Sequence, residues 1–584
     1  MPPGMPARPG RMACGCSPPR PASSIRRESS TPTSSSIRSI AWRCEMLDPL
    51  WRRRALDGLA QPFDLIVLGG GITGCGIFLD ASQRGLRVLL LERGDIASGT
   101  SSRSSKLIHG GLRYLKRLQL HVTRQAVRER DLMLAVDPHL VWPIRFLYLV
   151  YSGARPPAWQ MEIGLQVYDR LNRGRRHHRR LPTEELLASA PGVATAGLQT
   201  TFAYGDAVTD DARLTLAVAA TGTGYGGYLL TRAELEDGLR TTAGRLSGVR
   251  FRDQETGEVH TARASLVVNA TGAWVDLVRH RLGISGARVR PSRGSHLIFA
   301  SDRLPITEAV TLPSPDDGRP VFFIPHPEGV LAGTTDLFHT GDLDDPRPSP
   351  EEVGYLLRAA QTAFPGRQIG ADDVRGAFAG VRPIVDTGAA SPSAASREEA
   401  LWDEEGLLSV AGGKLTTWRA IAEEVVDHAL RFLPSERARE ASPCATAGTT
   451  VGALAPPDLA ERLQTVQGIA PDVAAGLARR LGGLSWLAGA VARSPSELHP
   501  LLDGTDLTAA EVRVHLRHGA VVHLEDLLLR RARFGLWDPA AARALVPRLA
   551  PLFQEELAWT ADRWDRETES AAGALAAWTP EGVR

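Results

Sequence analysis

Long apolar runs are missing from this sequence. No stretch approaches the ~20 consecutive apolar residues that cross a bilayer, and no apolar segment of signal-peptide type precedes Phe63. Cysteine is scarce as well. Cys14, Cys16, Cys44, Cys75 and Cys444 are all there are, and no two form a Cys-x-x-Cys pair. That spacing supports neither a cysteine zinc site nor a redox dithiol, and a reducing compartment is the simplest setting. A charge excess is also missing. Lys and Arg number 68 against 66 Asp and Glu, a net charge of +2, so nothing global argues for nucleic acid as a partner. Arg far outnumbers Lys, which together with abundant Ala and Gly points to a GC-rich coding sequence. What remains is ordinary for a globular chain: 584 residues, 43% hydrophobic and 23% charged, enough for about three domains.

Against that background one stretch stands out, Phe63 to Leu115. The apolar run Leu65–Leu68 ends in Gly69, Gly71 and Gly74, a helical stretch follows, and a second apolar run, Val88–Leu91, closes on Glu92. A G-x-G-x-x-G by itself means little in a chain with 57 glycines. Here it leaves a strand and opens a helix, with an acid 18 residues after Gly74. The glycines permit a tight turn and close approach to a pyrophosphate at a helix N-terminus, where free N–H groups and the helix dipole favour negative charge. The acid suits a ribose diol. The spacing therefore predicts a dinucleotide site, and the loop beyond it suits a flavin.

Two later glycine turns point the same way. The strand 259–272 ends in Ala270-Thr271-Gly272, whose small side chains let backbone pass close to a ring system. The strand Leu407–Val410 runs into Gly412-Gly413-Lys414-Leu415-Thr416 and a helix, with a lysine free to reach an anion. Cys75 falls inside the first helix and reads as a small buried thiol. Asp210, Asp211 and Arg213 read as a helix start with acids in its first turn.

The remaining organisation follows from composition and periodicity. Residues 1–45 are rich in Pro, Ser and Arg and poor in acids. They read as a transit peptide, a disordered tail, or a leader upstream of a true start at Met46; the last is favoured, because Met46 opens a short helix leading into the first strand. The predicted dinucleotide domain comes in three parts, 46–120, 206–285 and 371–435. Residues 121–205 form a cap and surface segment, and 286–370 alternate as an antiparallel sheet. Residues 436–457 are a linker, 458–570 are helical, and 571–584 are a tail. The expected fold class is α/β with an added all-α part: a Rossmann-like FAD-binding domain with an interleaved antiparallel substrate domain, followed by an all-helical C-terminal domain.

The segments SSRSSKLIHGGLRYL, DDARL, NATGAW, RGSH, GTTD, GVRP, GGKLTTWR and VHLEDLLLRRARFG occur in this order. As a set they resemble the FAD-dependent, respiratory glycerol-3-phosphate dehydrogenases, of amino-acid-oxidase-type architecture, from about Phe63 to about Asp565. The resemblance implies oxidation of sn-glycerol 3-phosphate to dihydroxyacetone phosphate by hydride transfer to FAD, with electrons passed to a quinone. It implies FAD contacts from Gly69, Gly71, Gly74, Glu92, Thr100, Ser101, Ser102, Ala270, Thr271, Gly272, Gly412, Gly413, Lys414, Leu415 and Thr416. It implies a substrate cavity around Arg113, Tyr114, Thr334, Arg382 and Lys414. His296 is the first choice for accepting the hydroxyl proton and His109 the second, with Arg382 stabilising the developing alkoxide. The residue types agree, since a phosphate wants fixed cations and Arg forks bind it bidentately. Trp418 and the Arg before Gly294-Ser295-His296 are mild departures from the family pattern. No metal is expected, and without EF-hand loops a bacterial enzyme is implied.

The run Arg170–Arg180 is locally very basic and follows Trp159, Met161, Ile163 and Val167 at near-helical spacing. An apolar face beside an arginine cluster can lie on an anionic lipid surface, and the resemblance favours peripheral attachment to the inner face of the cytoplasmic membrane over a solvated loop. A homodimer is left open. The competing readings are an oxygen-using oxidase of the same substrate, an amine or amino-acid oxidase, and a non-catalytic flavin-binding module.

Overall fold

The computed structural model describes residues 47–112, 120–171, 178–389, 391–392 and 399–579. The leader 1–45 with its Met46 start, Arg113, Tyr114, Arg175 and Arg176 lie outside them.

The strand Phe63–Leu68 is buried along its whole length, as a parallel strand covered on both faces must be. It pairs in parallel with Val88–Leu91 on one side and with Val259–Asn269 on the other, Leu65 facing both Val88 and Leu266. The sheet runs Ala400–Glu404, Leu407–Ala411, Val259–Asn269, Phe63–Leu68, Val88–Leu91, Tyr228–Leu230. Along this path only the first strand is antiparallel to its neighbour; off it, Leu246–Asp253 pairs antiparallel with Val259–Asn269 and with Ala233–Arg240. The carboxyl ends of three strands that are distant in sequence thus converge, and each ends in one of the three glycine turns.

The helix Ile72–Gln83 is buried on nearly every face between the helices Asp211–Gly224 and Trp418–Ala429. Such close packing needs small residues at the contacts: a Cβ on Gly76 would lie 2.8 Å from Trp418 Cε3. The substitution of Trp at 418 therefore fills a helix–helix seam.

The second sheet is antiparallel except where Ala309–Pro313 joins Val141–Tyr151 in parallel. Its strand Ser292–Phe299 lies between Gly329–Gly333 and Val374–Arg382, so that His296 faces Gly333 on one side and Phe378 on the other. Residues 459–576 are helical apart from short connections. The last helix continues past 570 to Ala576, and the carbonyl of Trp578 accepts a 2.8 Å hydrogen bond from Ala377 N–H of the second sheet. The expected tail therefore starts as part of the packed fold.

The helix Ala158–Leu171 corrects the single apolar face read from the sequence. Met161, Leu165 and Tyr168 are buried, whereas Trp159 and Ile163 are 64% and 51% exposed. Met161 is about 200° around the helix from Trp159, so the two cannot share a face. Of the basic run, Arg180 pairs with Glu162 at 2.6 Å and Arg179 with Glu185, so both are partly neutralised.

Candidate functional site

The three glycine turns open onto one cavity of about 1160 Å³. Its walls include Gly69, Gly71, Glu92, Thr100, Ser101, Ala270, Thr271, Gly272, Gly412, Gly413, Lys414 and Leu415. Three other residues expected to bind the cofactor lie behind this surface. Gly74 is needed for backbone packing, since a Cβ there would sit 1.9 Å from the Gly69 carbonyl oxygen. Gly69 has φ +105°, and its own Cβ would meet the Ala270 carbonyl oxygen at 2.8 Å. Ser102 is buried, with its carbonyl accepting from Lys106 Nζ. Thr416 Oγ1 accepts the His109 N–H at 3.1 Å, which ties the third turn to the flavin loop.

Glu92 is locked in place. Its two carboxylate oxygens accept Gly70 N–H at 2.5 Å and Gly94 N–H at 2.6 Å. Burial pushes its pKa up, against the pull of those two N–H groups. A fixed carboxylate with lone pairs to spare, a side-chain-free approach at Gly69, and a helix opening at Ile72 together fit the ribose and pyrophosphate of FAD. At that opening Ser101 Oγ accepts Ile72 N–H at 2.9 Å.

Beside this cavity, strands of the second sheet assemble a polar cluster. Arg382 Nη2 donates to Thr334 Oγ1 at 2.9 Å, and Nη1 lies 3.2 Å from Asp336 Oδ1. The guanidinium lies against Gly294, where a Cβ would come within 2.1 Å of Nη2. His296 is buried and stacks on Phe378 with ring centres 4.8 Å apart. Its Nε2 is 2.8 Å from Ser105 Oγ. Burial, then the charges of Arg382 and Lys106, hold its pKa well below that of an ordinary histidine, so the ring is neutral. Thr334, His296 and Arg382 are thus brought into one neighbourhood. Lys414 lines the cavity itself, and His109 is held at its backbone.

Several residues here were not singled out by sequence reasoning. Ser105 and Lys106 sit within the SSRSSKLIHGG segment, but their partners come from elsewhere. Lys106 is 1% exposed; its Nζ bonds Asp211 Oδ1 at 2.7 Å and Ser102 O at 3.2 Å. Burial and the nearby Arg533 bring its pKa down to about 8 against the opposing pull of Asp211. Asp211 also accepts from Ser104 Oγ at 2.7 Å and from Arg533 Nη2 at 2.8 Å, while Asp210 caps the helix by accepting Arg213 N–H. The C-terminal helices add Glu525, Leu529, Arg530, Ala577 and Trp578 to the cavity wall. No local sequence signal marks them, because they lie more than 100 positions from every one of the turns they face.

Comparison with known proteins agrees with this geometry. Residues 64–394 match the FAD dependent oxidoreductase family, and residues 444–564 match the C-terminal domain of alpha-glycerophosphate oxidase. A glycerol-3-phosphate dehydrogenase of Mycobacterium leprae is 34% identical over 535 residues, 90% of each chain. An aerobic glycerol-3-phosphate dehydrogenase of Staphylococcus saprophyticus is 37% identical over 395 residues, 67% of this chain and 71% of its own. The crystal structure of the Bacillus halodurans glycerol-3-phosphate dehydrogenase complexed with FAD superposes with a TM-score of 0.75 at 28% identity, covering 91% of this chain and 98% of that one. The fold, the cofactor cavity and these relationships make the chain a member of the FAD-dependent oxidoreductases, in the glycerol-3-phosphate dehydrogenase family.

Proposed function

We propose that the protein oxidises sn-glycerol 3-phosphate to dihydroxyacetone phosphate and passes the electrons to a quinone. The observation that carries the reading is the Arg382–Thr334–His296 cluster beside a cavity built for FAD. Bound FAD supplies the acceptor for the hydride leaving C2 of the substrate. In this reading Arg382 and Lys414 bind the phosphate, whose oxygens compete with those of Thr334, Thr335 and Asp336 for the guanidinium. Arg113 and Tyr114, outside the described residues, are assigned to substrate binding by resemblance alone. His296 takes the C2 hydroxyl proton: with Nε2–H given to Ser105, the buried Nδ1, which has no hydrogen-bond partner, carries the lone pair. Its low pKa makes it a poor base in the free protein. The phosphate dianion beside Arg382 offsets the cationic field and raises that pKa when substrate is bound. His109 remains the second choice.

Trp159 and Ile163, exposed one turn apart, with Arg170 exposed two turns beyond Ile163 on the same helix face, support docking on an anionic membrane surface, where the quinone dissolves. No helix among the described residues is long and apolar enough to cross a membrane. The match of residues 444–564 to an oxidase domain favours oxygen as the second candidate acceptor.

Anaerobic mixing with glycerol 3-phosphate, followed by flavin absorbance, tests the substrate. Bleaching by glycerol 3-phosphate but not by glycerol is expected, and an unbleached flavin would overturn the proposal. Reoxidation by quinone in anionic vesicles without peroxide is expected; stoichiometric peroxide in air would identify an oxidase. Trp159→Ser with Ile163→Ser is expected to reduce vesicle binding and leave turnover with a soluble dye unchanged.

A further inference from the structure

Arg103 follows directly on the Thr100-Ser101-Ser102 turn and lines the same cavity as Gly71, Ile72 and Ser101. Its surroundings are unusual for a half-buried cation. Its Nε has no hydrogen-bond partner, and among the described residues no carboxylate is paired with it. Two acids stand close enough to act on it, but both are taken: Asp345 by Arg347 at 2.7 Å, Glu525 by Arg530 at 3.2 Å and by Arg232 at 3.4 Å. The face of Trp578 lies 5.3 Å from the guanidinium carbon. Burial, with the charge of Arg530 added, brings its pKa down to about 10. A guanidinium placed this way is short of an anion.

FAD brings to this cavity an anion that needs a cation besides Lys414, which the proposed function gives to the substrate. The pyrophosphate of FAD is negative on both phosphates. The helix starting at Ile72 offers it a partial positive charge of only about half a unit. Two of the backbone donors at that turn are already spent, Gly70 N–H on Glu92 and Ile72 N–H on Ser101 Oγ. The other arginines of the wall have protein acceptors: Arg93 pairs with Asp344, Arg281 with Glu234, Arg347 with Asp345, and Arg530 with Asp95 and Asp526.

The geometry points to Arg103 as the residue that holds the pyrophosphate of FAD in this cavity. It reaches the ligand from the loop that Ser101 anchors to the helix opening, and the bound anion supplies the acceptor that the protein withholds. The dinucleotide fingerprint contains no such cation, and the inference is independent of which substrate the enzyme oxidises.

The test uses the full-length holoenzyme and the variants Arg103→Met and Arg103→Lys. FAD release on dilution is followed by flavin fluorescence, and ADP, which has the pyrophosphate but no flavin, is the competitor. Arg103→Met is expected to weaken FAD and ADP alike, each by at least about tenfold, with Arg103→Lys between it and the parent. Melting of the flavin-free variant is expected at or above the parental temperature, because an unpaired buried cation has gone, while the increment gained on adding FAD shrinks. Parental FAD affinity in Arg103→Met would overturn the inference. So would a loss for FAD with ADP unaffected, which would place Arg103 at the flavin ring. A lower melting temperature with and without FAD would make it structural. A raised KM for glycerol 3-phosphate with FAD retention unchanged would assign it to the substrate.

Discussion

Only three of the 68 basic residues are lysines: Lys106, Lys116 and Lys414. Lys106 lies where a guanidinium would not fit. Its compact ammonium fits between Asp211, Ser102 O and the face of Phe378, 5.6 Å away, where Arg533 already donates to the same Asp211 oxygen. Lys106→Arg keeps the charge but is expected to lose about 1–3 kcal/mol of stability through overpacking, read by urea unfolding; an unchanged midpoint would contradict this packing argument. The converse holds at Arg382, whose fork spans Thr334 and Asp336. Arg382→Lys is expected to lower kcat/KM for glycerol 3-phosphate by at least about a hundredfold, roughly the worth of two charge-assisted hydrogen bonds. Steady-state kinetics with a dye acceptor, with flavin content checked, would show parental values if the substrate assignment is wrong.

At the scale of elements, the turn Leu527–Arg531 is π-helical, a local widening that often accompanies function. Here it lets two consecutive arginines meet one acid. Arg531 grips Asp95 with two nitrogens and Arg530 joins it through Nε, while Arg530 also bonds Asp526 at 2.6 Å. Asp95 lies three residues past Glu92, so the C-terminal helices clamp the loop that carries the ribose acid. Arg531→Met leaves Asp95 buried with one partner fewer and is expected to cost about 3 kcal/mol or more. The double variant with Asp95→Asn is expected to be more stable than that single one, and denaturant unfolding of the pair checks it. Equal losses would mean that the arginine acts through its packing alone.

At the scale of the whole molecule, His523 joins two parts of the chain. Its Nε2 is 2.8 Å from Glu255, in the turn before Val259–Asn269, and its Nδ1 is 2.8 Å from Glu567 of the last helix. Burial disfavours the charged ring, but the hydrogen bonds to Glu255 and Glu567 outweigh it and push the pKa up to about 9. The folded value lies above the unfolded value near 6.5. The folded state therefore holds a proton that the unfolded chain releases, and stability falls as pH rises between about 6.5 and 9. Asp137, pushed up to about 7 chiefly by burial, acts at lower pH, losing its contribution between about 4 and 7. Melting temperatures from pH 6.5 to 9 are expected to fall for the parent and to flatten in His523→Gln. A slope unchanged by the substitution would place the titration elsewhere.

The nucleotide turn was legible because everything it needs lies within one βαβ unit. Gly69, Gly71, Gly74 and Glu92 are set by local spacing, and the strands around them by continuous apolar runs. The later turns at Ala270 and Gly412 were legible as turns, and the order of motifs tied them to the same cofactor. What the sequence alone determined, then, is the set of elements whose signals are short-range: strand, turn, helix opening and ribose acid. Only the tertiary structure decided which groups meet across the chain. Asp95 and Arg531 stand 436 residues apart, Lys106 and Asp211 stand 105 apart, and Arg382 meets Thr334 across strands separated by 48. Such ion pairs leave no periodicity, because a charge is satisfied by whatever the fold brings within about 3 Å. For the same reason Arg103, which has no carboxylate paired with it among the described residues, could not be told from its neighbours until the walls around it were in place.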